Sequence, residues 1–407
     1  MPQNTDHVIP NTPRGNNPNA SRFDKSPKKS KDHFPRIAYV LQGGGALGAY
    51  QAGALKELLT AGFAPDWIAA TSIGAIQAAI VAGNPPETRL KKLTEFWDMV
   101  ATYSIFEPLS EINETREMHD QMMENSALIS GQPNFYFPRW YTGQFPTKGD
   151  PSSLSYYNTA PLRDTLLKLV DFDYLNSSPV RLSLGSVSVN TGHLVYFNNI
   201  NYLIGPEHVM ASAALPPGFP AIEIDGEFYW DGGVHSNSPL QVILEASPAE
   251  DTLCFLIDCF GGHPFVPTNM NQITERMKDI TYSMHGERMI RNYLYRQKME
   301  EAIVKLYDEL SPEQKKKHAR LIGGLTTSHH CTLVHLAYSI RIVNIGGKDY
   351  NFGKKILEKR EEIGSTDVKA ALAEKKKWAL VPENRESRLY EAPNNLSRLF
   401  RKKEEAL

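Results

Sequence analysis

The chain has 407 residues, 41% hydrophobic and 22% charged, close to the globular average and enough for a substantial core. A formal net charge of -2 supplies no basic field, so nucleic acid is not an expected partner. Three cysteines (Cys254, Cys259, Cys331), an odd number without finger spacing, exclude a disulfide scaffold, and no apolar run reaches the roughly eighteen residues of a spanning helix.

Residues 1–35 are rich in Asn, Pro, Ser and Lys and lack an apolar segment, so they are expected to be a disordered tail on a cytoplasmic protein. Residues 36–42 form a short apolar run that ends in glycines and predicts a buried strand. After Gly43-Gly44-Gly45-Ala46-Leu47-Gly48, the spacing of Ala52, Leu55, Leu58 and Leu59 predicts a helix over 49–60. A second strand over 67–71 runs into Ser72-Ile73-Gly74 and an alanine-rich helix over 75–82. Strand, glycine loop, helix, strand, sharp turn and helix open a parallel α/β sheet.

Residues 90–154 depart from that rhythm and predict an insertion, helical early and aromatic later (Phe135-Tyr136-Phe137-Pro138-Arg139-Trp140-Tyr141). Further strands are expected at 180–189, 194–197, 227–230 and 252–260, with a helix starting at Pro239. A long helix follows over 273–310, then an alternating apolar run over 332–343, then a charged, helical tail from 354.

Three motifs carry chemistry. In Ala70-Thr71-Ser72-Ile73-Gly74 a serine sits between strand and helix with small residues two positions either side, the pattern of a nucleophile elbow. Gly43-Gly44-Gly45 offers successive bare backbone N–H groups at a strand end, suited to a phosphate or an oxyanion. Read as Gly43-x-Gly45-x-x-Gly48, the loop also fits a dinucleotide fingerprint, although Asp66 precedes the second strand instead of ending it. Asp231-Gly232-Gly233 ends a strand far downstream. Taken alone it reads as a turn in which Asp caps a helix.

Together the three motifs resemble the patatin-like phospholipase family over residues 36–262. Ala211-Ser212-Ala213-Ala214-Leu215-Pro216, Phe219-Pro220, Thr191-Gly192, and the spacing of Asn237 and Pro239 behind Asp231 add to the likeness. The resemblance implies a three-layer α/β/α sandwich with a mainly parallel sheet, here with a helical and aromatic insertion and a helical C-terminal extension. It implies a serine acyl hydrolase cleaving lipid esters without metal or organic cofactor. Ser72 would be the nucleophile and Asp231 its base; Gly43, Gly44 and Gly45 would form the oxyanion hole, supported by Gly48, Gly74, Gly232 and Gly233. Two positions depart from the family pattern: Leu47 stands where Lys or Arg is usual, and Ala70 where Gly is. The expected organisation is a tail (1–35), a catalytic domain (36–262), an extension packed on it (263–380) and a charged tail (381–407).

The alternatives are a dinucleotide oxidoreductase, a non-catalytic lipid-binding scaffold, and a Ser–His–Asp triad through His285. His235 reads as a turn histidine. His329-His330-Cys331 with His335 has poor ligand geometry for zinc. The aromatic segment, with Tyr156 and Tyr157, either packs the insertion onto the sheet or meets a lipid surface. Basic clusters at Lys28-Lys29, Lys315-Lys316-Lys317, Lys375-Lys376-Lys377 and Arg401-Lys402-Lys403 suit solvated faces or peripheral contact with anionic membranes.

Overall fold

A computed structural model describes residues 34–103, 113–140, 150–245, 250–261, 266–322, 330–338, 348–382 and 386–393. Of the tail expected over 1–35, residues 1–33 lie outside the described residues, as do the clusters Lys28-Lys29 and Arg401-Lys402-Lys403, whereas Phe34 is buried in the core. In chain order the elements are β1 (Arg36–Leu41), α1 (Gly48–Thr60), β2 (Trp67–Ala70), α2 (Ile73–Ala82), α3 (Pro86–Met99), α4 (Asn113–Ser130), β3 (Phe137–Pro138), β4 (Tyr157–Asn158), α5 (Ala160–Leu169) and α6 (Phe172–Ser177). Then come β5 (Arg181–Ser188), β6 (Leu194–Asn198), α7 (Pro206–Ser212), β7 (Ile222–Ile224), β8 (Glu227–Asp231), α8 (Leu240–Leu244), β9 (Thr252–Asp258), α9 (Met270–Asp308), α10 (Pro312–Ile322), β10 (Cys331–Ala337), α11 (Lys354–Ala373) and β11 (Arg388–Glu391).

The main sheet runs β11-β10-β9-β1-β2-β5-β8-β7, with β6 also on β5. From β11 to β5 every pairing is parallel; β6, β7 and β8 are antiparallel. Strands buried on both faces read as near-continuous apolar runs, and β2 and β9 are buried throughout. Alternate residues feed two cores. Tyr39, Leu41, Ile68, Leu184, Phe255 and Leu336 pack under residues of α1, α2, α3 and α11. Ala38, Val40, Trp67, Cys254, Leu256 and Leu333 face residues of α8 and α9. The fold is therefore a mixed, mainly parallel α/β sheet with helices on both sides.

The sheet does not stop at the expected catalytic segment. β10 pairs with β9 along seven residues, and β11, within the stretch read from sequence as a charged tail, pairs with β10. α11 lies against α1 at near-backbone distance: a Cβ on Gly53 would fall 1.9 Å from the Glu361 carbonyl oxygen, and one on Gly364 would fall 2.0 Å from that of Tyr50. Only glycine at both positions permits so close an approach.

Candidate active site

Ser72 ends the turn after β2 with φ 58 and ψ -127, a sparsely populated conformation for a residue with a side chain. Such strain needs support from its surroundings. The Ser72 N–H donates to the Ser212 carbonyl at 2.9 Å, and the Ser72 carbonyl accepts from Ala75 at 2.9 Å as α2 begins. Gly74 is required by contact, since a Cβ there would lie 2.5 Å from the Leu41 carbonyl oxygen. Gly48 lets α1 start against α2, its absent Cβ leaving room for Ile73. Ala70, where the family pattern has glycine, is wholly buried in the core beneath α2.

Sheet register brings Asp231 to this turn. On β5, Leu184 pairs with Ala70 on one edge and Phe197 on the other, while Ser186 pairs with Asp231 and Val195. β6 occupies one edge throughout, so β2 and β8 share the other. Because β2 is parallel to β5 and β8 antiparallel, their C-terminal ends converge head-on, one closing at Ala70 and the other at Asp231. The end of α7 and the segment after it link the two ends: Ser212 O receives Ser72 N–H, and Ala214 O receives Asp231 N–H at 2.9 Å. Gly232 fits the junction because a Cβ would lie 2.6 Å from the Gly185 carbonyl oxygen.

Asp231 is 1% exposed. Its Oδ1 accepts the Gly233 N–H at 2.7 Å, whereas Oδ2 has no hydrogen-bond partner of ordinary geometry among the described residues. Burial pushes the carboxyl pKa up to about 7, against the opposing pull of the Ser72 side chain and the Gly233 N–H. A carboxyl poised near neutrality can take up and return a proton at physiological pH.

The glycine loop contributes unevenly. Gly43 N–H donates to Asn237 O at 3.1 Å, a bond made within the protein. Asn237 Nδ2 returns a bond to Gly43 O at 2.9 Å. For Gly44 and Gly45, no hydrogen bond from the backbone N–H is made among the described residues. Gly45 has φ +53, and a Cβ on it would meet the Asp349 carbonyl oxygen at 2.3 Å. Below the loop, Gln42 Oε1 accepts the N–H groups of Cys259 (2.8 Å) and Phe260 (3.1 Å), and Gln51 Nε2 reaches Gln42 O at 2.8 Å. The family's cation position, Leu47, is fully buried.

Ser72, Asp231, Gly43, Gly44, Gly45 and Gly233 line one pocket. Its walls are mostly rings and aliphatic groups: Phe135 and Tyr136 from the insertion, Leu215 and Phe219 after α7, and Phe260. Tyr282, Asp349, Tyr350 and Phe352 come from the C-terminal region and escaped the sequence reading. Lys278 on α9 holds both carboxylate oxygens of Asp349 at 2.8 and 2.7 Å, and Asp349 O receives Ala46 N–H at 2.9 Å, so this region also braces the glycine loop. Phe135 and Tyr136 pack inward, as expected of a segment packing the insertion onto the sheet, while Phe137 and Trp140 are exposed; Tyr141 lies outside the described residues.

Other sequence candidates sit elsewhere. Asp66 accepts the Ile37 N–H at 2.7 Å, at the end of β2 away from the glycine loop, which leaves the dinucleotide reading without its ribose carboxylate. His235 is exposed, the side chain of His285 lies outside the described ones, and so does His329. His335 pairs in the core with Asp258, Nε2 to Oδ2 at 2.9 Å. Among the described residues no group of three or more His, Cys, Asp or Glu gathers as a metal cluster, and no helix is long and apolar enough to cross a membrane.

A family model described as patatin-like phospholipase matches residues 39–244, half of the chain, spanning the elbow, the glycine loop and Asp231. The chain belongs to the patatin-like phospholipase family. By that membership it is an ester hydrolase, with lipid as its substrate class. A second model, described as Patatin phospholipase, matches 280–384, the region carrying Tyr282, Asp349, Tyr350 and Phe352. No curated protein matches this patatin-like chain. Among solved structures it is similar to VipD from Legionella pneumophila (11% identity, 85% of this chain and 72% of that one, TM-score 0.31). It is also similar to human GIVD cytosolic phospholipase A2 (12%, 60% and 45%, TM-score 0.32). A third is the ExoU–SpcU complex of the Pseudomonas aeruginosa type III secretion system (17%, 72% and 59%, TM-score 0.29). At these scores the likenesses carry no argument about mechanism.

Proposed function

We propose that this protein cleaves fatty-acyl ester bonds through a Ser72–Asp231 dyad. Ser72 Oγ attacks the ester carbonyl while Asp231 takes its proton. The backbone N–H groups of Gly44 and Gly45 receive the developing oxyanion, and Asp231 returns the proton to the departing alcohol. A water, deprotonated by the same carboxylate, then releases the fatty acid. These steps draw on no metal or organic cofactor. The observation that carries the reading is the head-on meeting of β2 and β8, which puts the strained serine and a buried, half-satisfied carboxylate in one pocket.

The acyl chain would lie along Phe135, Phe219, Phe260 and Phe352. The catalytic unit proposed for 36–262 is thus completed by side chains of the extension. Approach from a lipid surface would pass the insertion, where Phe137 and Trp140 are exposed and Phe137 directly follows the pocket-lining Tyr136.

The test combines serine-directed fluorophosphonate labelling with hydrolysis of p-nitrophenyl esters, lysophospholipids and diacyl phospholipids. Ser72→Ala should abolish both labelling and turnover, and Asp231→Asn should lower the rate by about 10²–10⁴. Full esterase activity in Ser72→Ala would overturn the reading and favour a lipid-binding scaffold.

A further inference from the structure

Tyr136 is 3% exposed, and its main chain is pinned by two bonds with Gln132, N–H to O at 3.0 Å and O from N–H at 2.7 Å. Its ring packs among Tyr157 (centroids 4.8 Å apart), Phe219 (5.1 Å) and Phe135 (5.6 Å). Elsewhere, buried Tyr50 donates to Asp367 at 3.0 Å and half-buried Tyr157 reaches Leu128 O at 2.8 Å, whereas Tyr196 Oη, outside this pocket, lacks a partner among the described residues. Tyr136 Oη has none among the described residues. Among the described residues, two that line the pocket around Ser72 carry a buried side-chain oxygen with no hydrogen-bond partner of ordinary geometry: Asp231 at Oδ2, which the mechanism uses, and Tyr136 at Oη, which it does not.

A buried hydroxyl without an acceptor is costly, and phenylalanine would fill the same ring slot without that cost. Burial pushes the phenol pKa up, so the group stays neutral and remains a donor. An apolar wall with one unspent donor suits a ligand that is mostly hydrocarbon and carries an oxygen acceptor at one point. We propose that Tyr136 is a substrate-binding residue whose hydroxyl donates a hydrogen bond to an oxygen of the bound acyl ester. The inference rests on the Ser72-centred pocket being the ester site.

The experiment compares wild type, Tyr136→Phe and Ser72→Ala on p-nitrophenyl octanoate, with thermal unfolding of each. Tyr136→Phe should raise KM about tenfold while kcat stays within about twofold, the signature of a lost binding interaction. Its Tm should be unchanged or higher, because the deleted hydroxyl has no partner among the described residues. An unchanged KM, a loss confined to kcat, or a KM rise accompanied by a lower Tm overturns the proposal. Activity surviving in Ser72→Ala overturns the site reading itself, so the two failures are distinguishable.

Discussion

Gly43 and Asn237 hold each other by two hydrogen bonds, Gly43 N–H to Asn237 O at 3.1 Å and Asn237 Nδ2 to Gly43 O at 2.9 Å. One residue opens the glycine loop after β1; the other lies six positions beyond Asp231, close enough that a Cβ on Gly43 would strike its Oδ1 at 2.3 Å. The clasp fixes the proposed oxyanion donors relative to the proposed base. Asn237→Ala would leave Gly43 O buried without its side-chain donor and let the loop drift. We expect kcat for p-nitrophenyl ester hydrolysis to fall about ten- to a hundredfold, consistent with roughly 1–3 kcal/mol for a lost buried partner. Wild-type kcat in a folded Asn237→Ala protein would remove the clasp from the catalytic account.

The Asp231 carboxyl sets a pH dependence. Burial raises its pKa from 3.8 to about 7, so the deprotonated form needed as base accumulates only as pH rises through that value. A profile of kcat/KM against pH should climb through about pH 7 and then level. Stability runs the other way. The folded carboxyl binds its proton more tightly than the unfolded one, so this group's contribution is full below about pH 4 and is lost as pH rises towards 7. Asp231→Asn should therefore be slower by a factor of about 10²–10⁴ yet more stable than wild type at pH 8, on the order of 1–3 kcal/mol by urea unfolding. A less stable variant at that pH would contradict the buried-carboxylate account.

At the contact of α1 with α11, Gly364→Ala would place a methyl 2.0 Å from the Tyr50 carbonyl oxygen. Backbone cannot yield as a side chain can, so the helices must part. We expect a loss of at least about 2 kcal/mol, read from the urea midpoint. Since α1 follows directly from the glycine loop, esterase activity should fall as well. Unchanged stability would mean that the extension is not packed against the catalytic region in solution.

Much of the site could be read from the chain because each part is a local device. The elbow demands small neighbours around Ser72, the loop demands bare amides after β1, and the turn after Asp231 demands two glycines. Strand and helix periods likewise placed β1, β2, α1, α2 and α9 within a few residues. Elements whose identity depends on distant partners were harder to read. β11 is four partly buried residues inside a charged stretch, and pairing with β10 makes it a strand. Gly53 and Gly364 look like weak points in two helices until the helices are seen to touch there. Asp349, Tyr350 and Phe352 sit in a region with no catalytic pattern, and their place in the pocket follows from how the extension folds back over the loop.

The order of motifs along the chain was enough to establish the α/β class, the family, and which serine and aspartate to watch, because backbone conformation near a turn is governed by residues within a few positions of it. Tertiary structure alone decided that Gly43 spends its amide on Asn237, that Asp231 is desolvated, and that the pocket borrows its far wall from the C-terminal region. Those outcomes depend on strand register and on burial, which arise from contacts between residues far apart in the chain.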